Sequence, residues 1–269
     1  MRKLGQIILS MLLGLQSLPV NADLLVLVHG YLGSAVSWES SGVNAALAAD
    51  EWQRVGFMSP MGMEKAQEKP AKRFYVAELP SMAPLVIQSD LLKSQIDQVT
   101  STYPDEPVIL VGHSAGGVVA RMLLVRHGLS NAKALITIAS PHLGTSRAIQ
   151  ALEATDDSFP VSLVKRAFAG EIYDVVRGSR GVLLDLTPAW PGNLLHWLNQ
   201  QSHPDIAYIS VLRTGQGGRG DELVPAYSQD MNQVPSLAGR SETSVMLGSH
   251  QLQPADGALL IDILNSLAD

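Results

Sequence analysis

The sequence predicts an α/β fold: a mostly parallel sheet of about six strands, helices on both faces, and a helical cap inserted late in the chain. Three observations carry this. Short Val/Ile/Leu runs alternate with segments of helical spacing, the pattern of parallel strands joined by crossover helices. The strongest strand-like runs are apolar throughout rather than at every second residue, as strands covered on both faces require. One stretch of about sixty residues separates two of the strands and is too long for a loop.

In chain order, the first segment stands apart from that fold. Arg2 and Lys3 precede an apolar run from Leu4 to Leu18, and Val20-Asn21-Ala22 follows as a small-x-small exit. This is the form of a secretory signal peptide over residues 1–22, and the run is shorter than the ~20 residues of a membrane span. The mature domain is expected over 23–269, exported to a periplasm or the medium. Strands are expected at Leu24–Val28, Phe74–Ala77, Val108–Val111, Ala134–Ile138, Ile206–Leu212 and Ser244–Leu247. Helical spacing runs over Val43–Val55, Pro84–Tyr103, Gly116–His127 and Ala255–Leu267, the last with Leu259, Leu260, Ile263, Leu264 and Leu267 on one face. Residues 146–205 form the expected cap or lid over the sheet's active edge. Its Leu183, Leu184, Leu186, Trp190, Leu194, Leu195, Trp197 and Leu198 either line an apolar binding groove, touch a lipid surface, or pack the insertion onto the sheet.

Composition bounds the function classes. The chain has 269 residues, 46% hydrophobic and 16% charged, which excludes a disordered chain and allows one large domain or two small ones. Formal net charge is −6, and no Lys/Arg block exceeds two residues, so a nucleic-acid partner is not expected. Losing Arg2 and Lys3 with the leader reduces 19 basic residues to 17 against 25 acidic, a net −8. With no cysteine there is no disulfide and no thiolate metal site.

The chemistry starts at Gly112-His113-Ser114-Ala115-Gly116, which follows a Val/Ile/Leu run and opens a helical one. Gly-x-Ser-x-Gly in that setting has the form of a nucleophile elbow, in which a strand turns sharply into a helix and presents the serine hydroxyl at the apex. Side chains two residues before and after the serine would collide with the neighbouring strand and helix. A serine hydroxyl needs a base. Of seven histidines, His127, His142, His196, His203 and His250 follow Ser114, and only His250 lies between a late strand and the closing helix. His113 is expected to pack inward or line the pocket, His29 to tie the loop after the first strand, and His142 and His203 to be surface or loop residues. The acid that orients the base belongs after the penultimate strand. Asp221 is favoured there: a glycine-rich loop leads into it, and Leu223-Val224-Pro225 can pin its side chain inward. Glu222 is the alternative, and Asp205 precedes the strand at the wrong end. An oxyanion needs positioned N–H donors. One is Ala115, after the nucleophile. The other belongs to the loop after the first strand, where Gly30 and Gly33 let the backbone turn toward the pocket.

Val28-His-Gly-Tyr-Leu-Gly33, Gly112-His-Ser-Ala-Gly116, Ile138-Ala-Ser-Pro-His-Leu-Gly-Thr145, Gly220-Asp-Glu-Leu-Val-Pro225 and Ser249-His250 together resemble the α/β-hydrolase superfamily, and within it the bacterial triacylglycerol lipases and esterases. The resemblance covers most of the mature chain in order and is loose from Ser146 to Asp205. It implies that Tyr31, directly after His-Gly, gives the second oxyanion N–H, and that Ser140 to Thr145 turns the chain into the lid. The disulfide of some such lipases is impossible here, and no residue pattern establishes their structural calcium site. The first strands of larger relatives are missing, as in a compact version of the fold. The reaction so implied is hydrolysis of a small-molecule ester or lipid through an acyl-enzyme on Ser114, with His250 as base and Asp221 as orienter. No metal or organic cofactor is needed. An acyltransferase on the same scaffold and a non-catalytic ligand-binding protein are the rival readings.

Overall fold

Five consecutive apolar residues, Leu24–Val28, are completely shielded from solvent and form the strand at the heart of the sheet. The structure, a computed structural model, describes residues 23–63, 70–155 and 173–268; the expected signal peptide lies outside the described residues. The strands are β1 (Leu24–Val28), β2 (Gln53–Ser59), β3 (Gly62–Met63), β4 (Arg73–Ala77), β5 (Val108–His113), β6 (Ala132–Ile138), β7 (Ala207–Thr214) and β8 (Ser241–Leu247). Among the described residues they make one eight-stranded sheet in the order β3-β2-β4-β1-β5-β6-β7-β8. Every neighbouring pair is parallel except β2 with β3.

Helices among the described residues include α1 (Val36–Ser40), α2 (Val43–Ala49), α3 (Leu85–Thr100), α4 (Ala115–Arg126), α5 (Ser146–Thr155), α6 (Arg180–Asp185), α7 (Leu194–Asn199), α8 (Ala226–Gln229) and α9 (Pro254–Ser266). Alternate residues of β1 face opposite layers. Leu24, Val26 and Val28 join a core with Leu92 and Ile96 of α3 and Val118 and Met122 of α4. Leu25 and Leu27 join a second core with Trp38, Leu47 and the α9 residues Leu260, Ile263 and Leu264. Continuous apolar strands therefore supply both layers at once.

The structure corrects the expected strand count and one helix boundary. The helix expected over Val43–Val55 ends at Ala49, and Gln53 begins β2. This strand lies near the sheet's edge, starts with two exposed residues and is bulged between Arg54 and Gly56, so it lacks an apolar run. Antiparallel β3 adds a two-residue edge. The described part of the insertion carries α5, α6 and α7, with turns between α6 and α7. Its Leu183, Leu186, Leu195 and Leu198 are buried in the core shared with α3 and α4, while Leu184, Trp190 and Trp197 stay exposed. The Asp185 carboxylate accepts the Leu85 N–H at 2.8 Å, tying α6 to the start of α3. Among the described residues no helix is long and apolar enough to cross a membrane.

Arg213, near the end of β7, forms an ion pair with Asp256 in the first turn of α9, and both side chains are inaccessible to solvent. Removing one partner of such a pair strands a buried charge. Asp256→Ala is therefore expected to lower unfolding free energy by ~3–5 kcal/mol, and Arg213→Met/Asp256→Leu by much less, as read from urea denaturation midpoints.

Candidate active site

Because the main strands are parallel, the loops following β1, β5, β7 and β8 emerge along one edge of the sheet, and these loops carry Gly30–Gly33, Ser114, Asp221 and His250. Residues distant in sequence meet there because of strand order alone.

Ser114 sits between β5 and α4 with φ 53° and ψ −129°, a backbone conformation that non-glycine residues rarely adopt. Its N–H donates to the Ile138 carbonyl at 2.8 Å, which holds the strained turn in place. The flanking glycines are steric necessities. A Cβ on Gly112 would lie 2.3 Å from the Gly117 backbone, and one on Gly116 would lie 2.3 Å from the His29 carbonyl oxygen. Gly117 is equally constrained, since a Cβ there would lie 2.1 Å from Ser140 Oγ, although the sequence pattern ends one residue earlier.

The structure brings the three expected side chains into one line. Ser114 Oγ lies 2.8 Å from His250 Nε2, and His250 Nδ1 lies 2.9 Å from Asp221 Oδ2. Asp221 Oδ1 accepts the N–H groups of Leu223 at 2.8 Å and Val224 at 2.7 Å, and Oδ2 also takes the Gln229 amide at 3.2 Å. These donors aim the carboxylate inward: the Leu223 and Val224 backbone amides hold Asp221, and the Val224 side chain is itself buried. Burial alone would raise the Asp221 pKa; the hydrogen bonds and charge of His250 and the two backbone donors outweigh it and hold the carboxyl below its usual range. An ionised Asp221 requires Nδ1–H on the imidazole, leaving the Nε2 lone pair for the serine proton. Gln229, in α8, further joins this loop to β7 by bonding both the N–H and the C=O of Arg213, at 2.6 and 3.0 Å. No sequence signal marks it.

Glu222 takes a different place from its neighbour. Both of its carboxylate oxygens accept the main-chain N–H of His250, at 3.0 and 3.1 Å, and neither meets the ring in a hydrogen bond. His113 is buried, and its Nε2 lies 2.8 Å from the His250 carbonyl oxygen. Burial and the neighbouring His250 push its pKa down to about 3, so the ring is neutral.

The loop after β1 closes on Ser114. A Cβ on Gly30 would come within 2.7 Å of Ser114 Cβ, so only glycine permits this approach. Gly33 N–H donates to the Gly30 carbonyl at 3.0 Å, and Tyr31 lies inside that turn. His29 fixes the loop: its Nδ1–H donates to Gly30 O at 3.0 Å and its Nε2 accepts from Leu79 N–H at 3.1 Å. Burial lowers the His29 pKa, against the raising effects of the Gly30 carbonyl and Glu78. Ala115 is the first residue of α4, where a helix leaves its N–H groups without intrahelical partners. Gly30, Tyr31, Leu32, Gly33, Ser114, Leu223, His250 and Leu252 line part of a cleft of about 440 Å³.

Several expectations change. None of the described insertion residues lines this cleft, but Arg147 at the start of the insertion reaches the loop that carries Asp221, its Nε–H donating to the Glu222 carbonyl at 2.9 Å. His142 and His203 are buried rather than on the surface. His142 packs beneath the turn after β6, where Arg121 and Asn199 donate to its carbonyl at 3.4 and 3.1 Å. His203 Nδ1–H bonds the Gln201 carbonyl at 2.9 Å. Composition gives no sign of such burial because tertiary contacts, not local pattern, enclose these rings. His127 pairs with Asp90 at 2.7 Å, and the exposed Asp205 pairs with Arg240, both away from Ser114. Among the described residues no cluster of three or more His, Asp or Glu is arranged to hold a metal ion.

The profile of the alpha/beta hydrolase fold matches residues 23–198. No curated protein matches the chain. Among solved structures, the mature lipase BlEst2 of Bacillus licheniformis superposes with a TM-score of 0.63 at 16% identity, over 93% of each chain. A metagenomic carboxyl esterase gives 0.55 at 15%, covering 92% of this chain and 76% of that one. The RedJ thioesterase of Streptomyces coelicolor gives 0.51 at 16%, over 90% and 89%. At these identities the likeness concerns the fold.

Proposed function

We propose that this chain, which belongs to the α/β-hydrolase fold family, is a serine hydrolase that cleaves carboxylic esters of acyl or lipid type through an acyl-enzyme. The observation that carries the reading is the hydrogen-bonded line from Asp221 through His250 to Ser114, 2.9 and 2.8 Å per step, opening on a cleft.

In this reading His250 Nε2 takes the Ser114 proton as Oγ bonds to the ester carbonyl carbon. The carbonyl electron pair moves onto oxygen, where the N–H groups of Tyr31 and Ala115 receive it, one such donor being worth ~3 kcal/mol in the transition state. Collapse breaks the C–O bond to the alcohol, which leaves with the proton from His250. Water repeats the sequence and releases the acid. Asp221 holds the ring and stabilises its charged form without itself taking the proton. The exposed Leu184, Trp190 and Trp197 support contact with lipid assemblies. The leader-like residues 1–22 support export, so the substrate is met outside the cytoplasm.

Wild-type protein is expected to be labelled by a serine-directed fluorophosphonate and to hydrolyse p-nitrophenyl esters in a series from acetyl to palmitoyl, with a rise above the solubility limit if lipid aggregates are the substrate. Folded protein that stays unlabelled and inert overturns the reading. Faster product formation as a new ester when an alcohol is added moves the assignment to an acyltransferase.

A further inference from the structure

We infer that Glu222 and His113 are positioning residues that hold the main chain of His250 from both sides, Glu222 accepting its N–H and His113 donating to its C=O. The inference rests on His250 being the base and deepens that reading. Two adjacent pairs in the sequence converge on this one residue. In Asp221-Glu222 the first carboxylate takes the ring Nδ1–H and the second takes the backbone N–H, at 3.0 and 3.1 Å. In His113-Ser114 the serine meets the ring Nε2 and the histidine meets the backbone carbonyl, at 2.8 Å each. A carbonyl only accepts, so His113 Nε2 carries the proton. With the ring pKa pushed down to about 3 by burial and the neighbouring imidazole, the neutral donor persists across the pH range of ester hydrolysis.

There is a physical need for such a hold. His250 rides on the connection between β8 and α9, and β8 is the last strand of the sheet, paired on one side to β7, with Val245 and Leu247 exposed. Ser114, in contrast, is braced by β1 and β6 on either side of β5. A base on the less supported edge keeps its ring direction only if something replaces the missing neighbour, and a small displacement of a reacting group is costly in rate. Glu222 reaches the loop from the β7 side and His113 from the β5 side, so tilting the His250 peptide breaks one bond or the other.

The test uses the full chain and p-nitrophenyl butyrate. Glu222 is exposed, so its replacement does not threaten the core. Glu222→Ala is expected to lower kcat ~10- to 100-fold with KM unchanged. Glu222→Gln, which keeps an oxygen acceptor, should recover most of the loss, and exchange of the His250 amide hydrogen should be faster in the alanine variant alone. His113→Phe keeps a ring without the donor and should show the same kcat-only loss. Glu222→Ala with wild-type kcat, a loss confined to KM, or equal losses in the alanine and glutamine variants overturns the positioning role while leaving ester hydrolysis standing. A folded wild type without ester turnover overturns both.

Discussion

Ser114→Ala is expected to reduce ester turnover on the order of 10⁶-fold, with His250→Ala causing a loss of the same size and the double variant little more. The equality follows from geometry: Ser114 Oγ and His250 Nε2 share one hydrogen bond of 2.8 Å and act as a unit, so removing either disables the attack. What survives is the stabilisation that the backbone donors and binding supply on their own. Steady-state rates with p-nitrophenyl butyrate and unfolding curves for each variant make the check. Turnover within about tenfold of wild type in folded Ser114→Ala would take the nucleophile away from the elbow. The Ser114 backbone is strained by its positive φ, and alanine preserves the same steric demand, so the variant isolates the hydroxyl rather than the turn.

Asp221→Asn is expected to lower kcat ~10⁴-fold while the protein remains folded. The new amide oxygen can still accept the Leu223 and Val224 N–H groups, so the loop keeps its shape. Facing His250, however, an amide N–H replaces a carboxylate acceptor. The imidazole must then present bare Nδ1 to the amide and Nε2–H to Ser114, which is the tautomer unable to take the serine proton. Glu222 does not compensate, because its oxygens are engaged by the His250 main chain rather than the ring. Parallel measurement of kcat and the urea midpoint separates this effect from unfolding; full activity in the asparagine variant would reassign the acid.

Much of this site is legible in the chain alone. Gly112-x-Ser114-x-Gly116 is readable because the elbow's sterics are local: the clashes that forbid side chains on Gly112 and Gly116 involve the turn itself and the adjoining end of β1. His250 and Asp221 are readable from their order relative to late strands, since a parallel sheet sends every such loop to the same edge. β2 is not legible, because a strand that starts with two exposed residues and is bulged between Arg54 and Gly56 carries no distinctive period. The task of Glu222 is not legible: the sequence offers it only as the alternative to Asp221, and no local pattern says that its carboxylate meets the His250 main chain.

Short-range pattern and chain order suffice for the layered α/β class, for the strand-turn-helix that exposes Ser114, and for ranking His250 and Asp221 above their rivals. Three arrangements appear only once the chain is folded: Gln229 braces Asp221, His113 and Glu222 meet the main chain of His250, and Leu183, Leu186, Leu195 and Leu198 of the insertion are buried in one core with α3 and α4. Those outcomes depend on which side chains of separate loops come within hydrogen-bond reach, and strand order in space, not spacing along the chain, sets that distance.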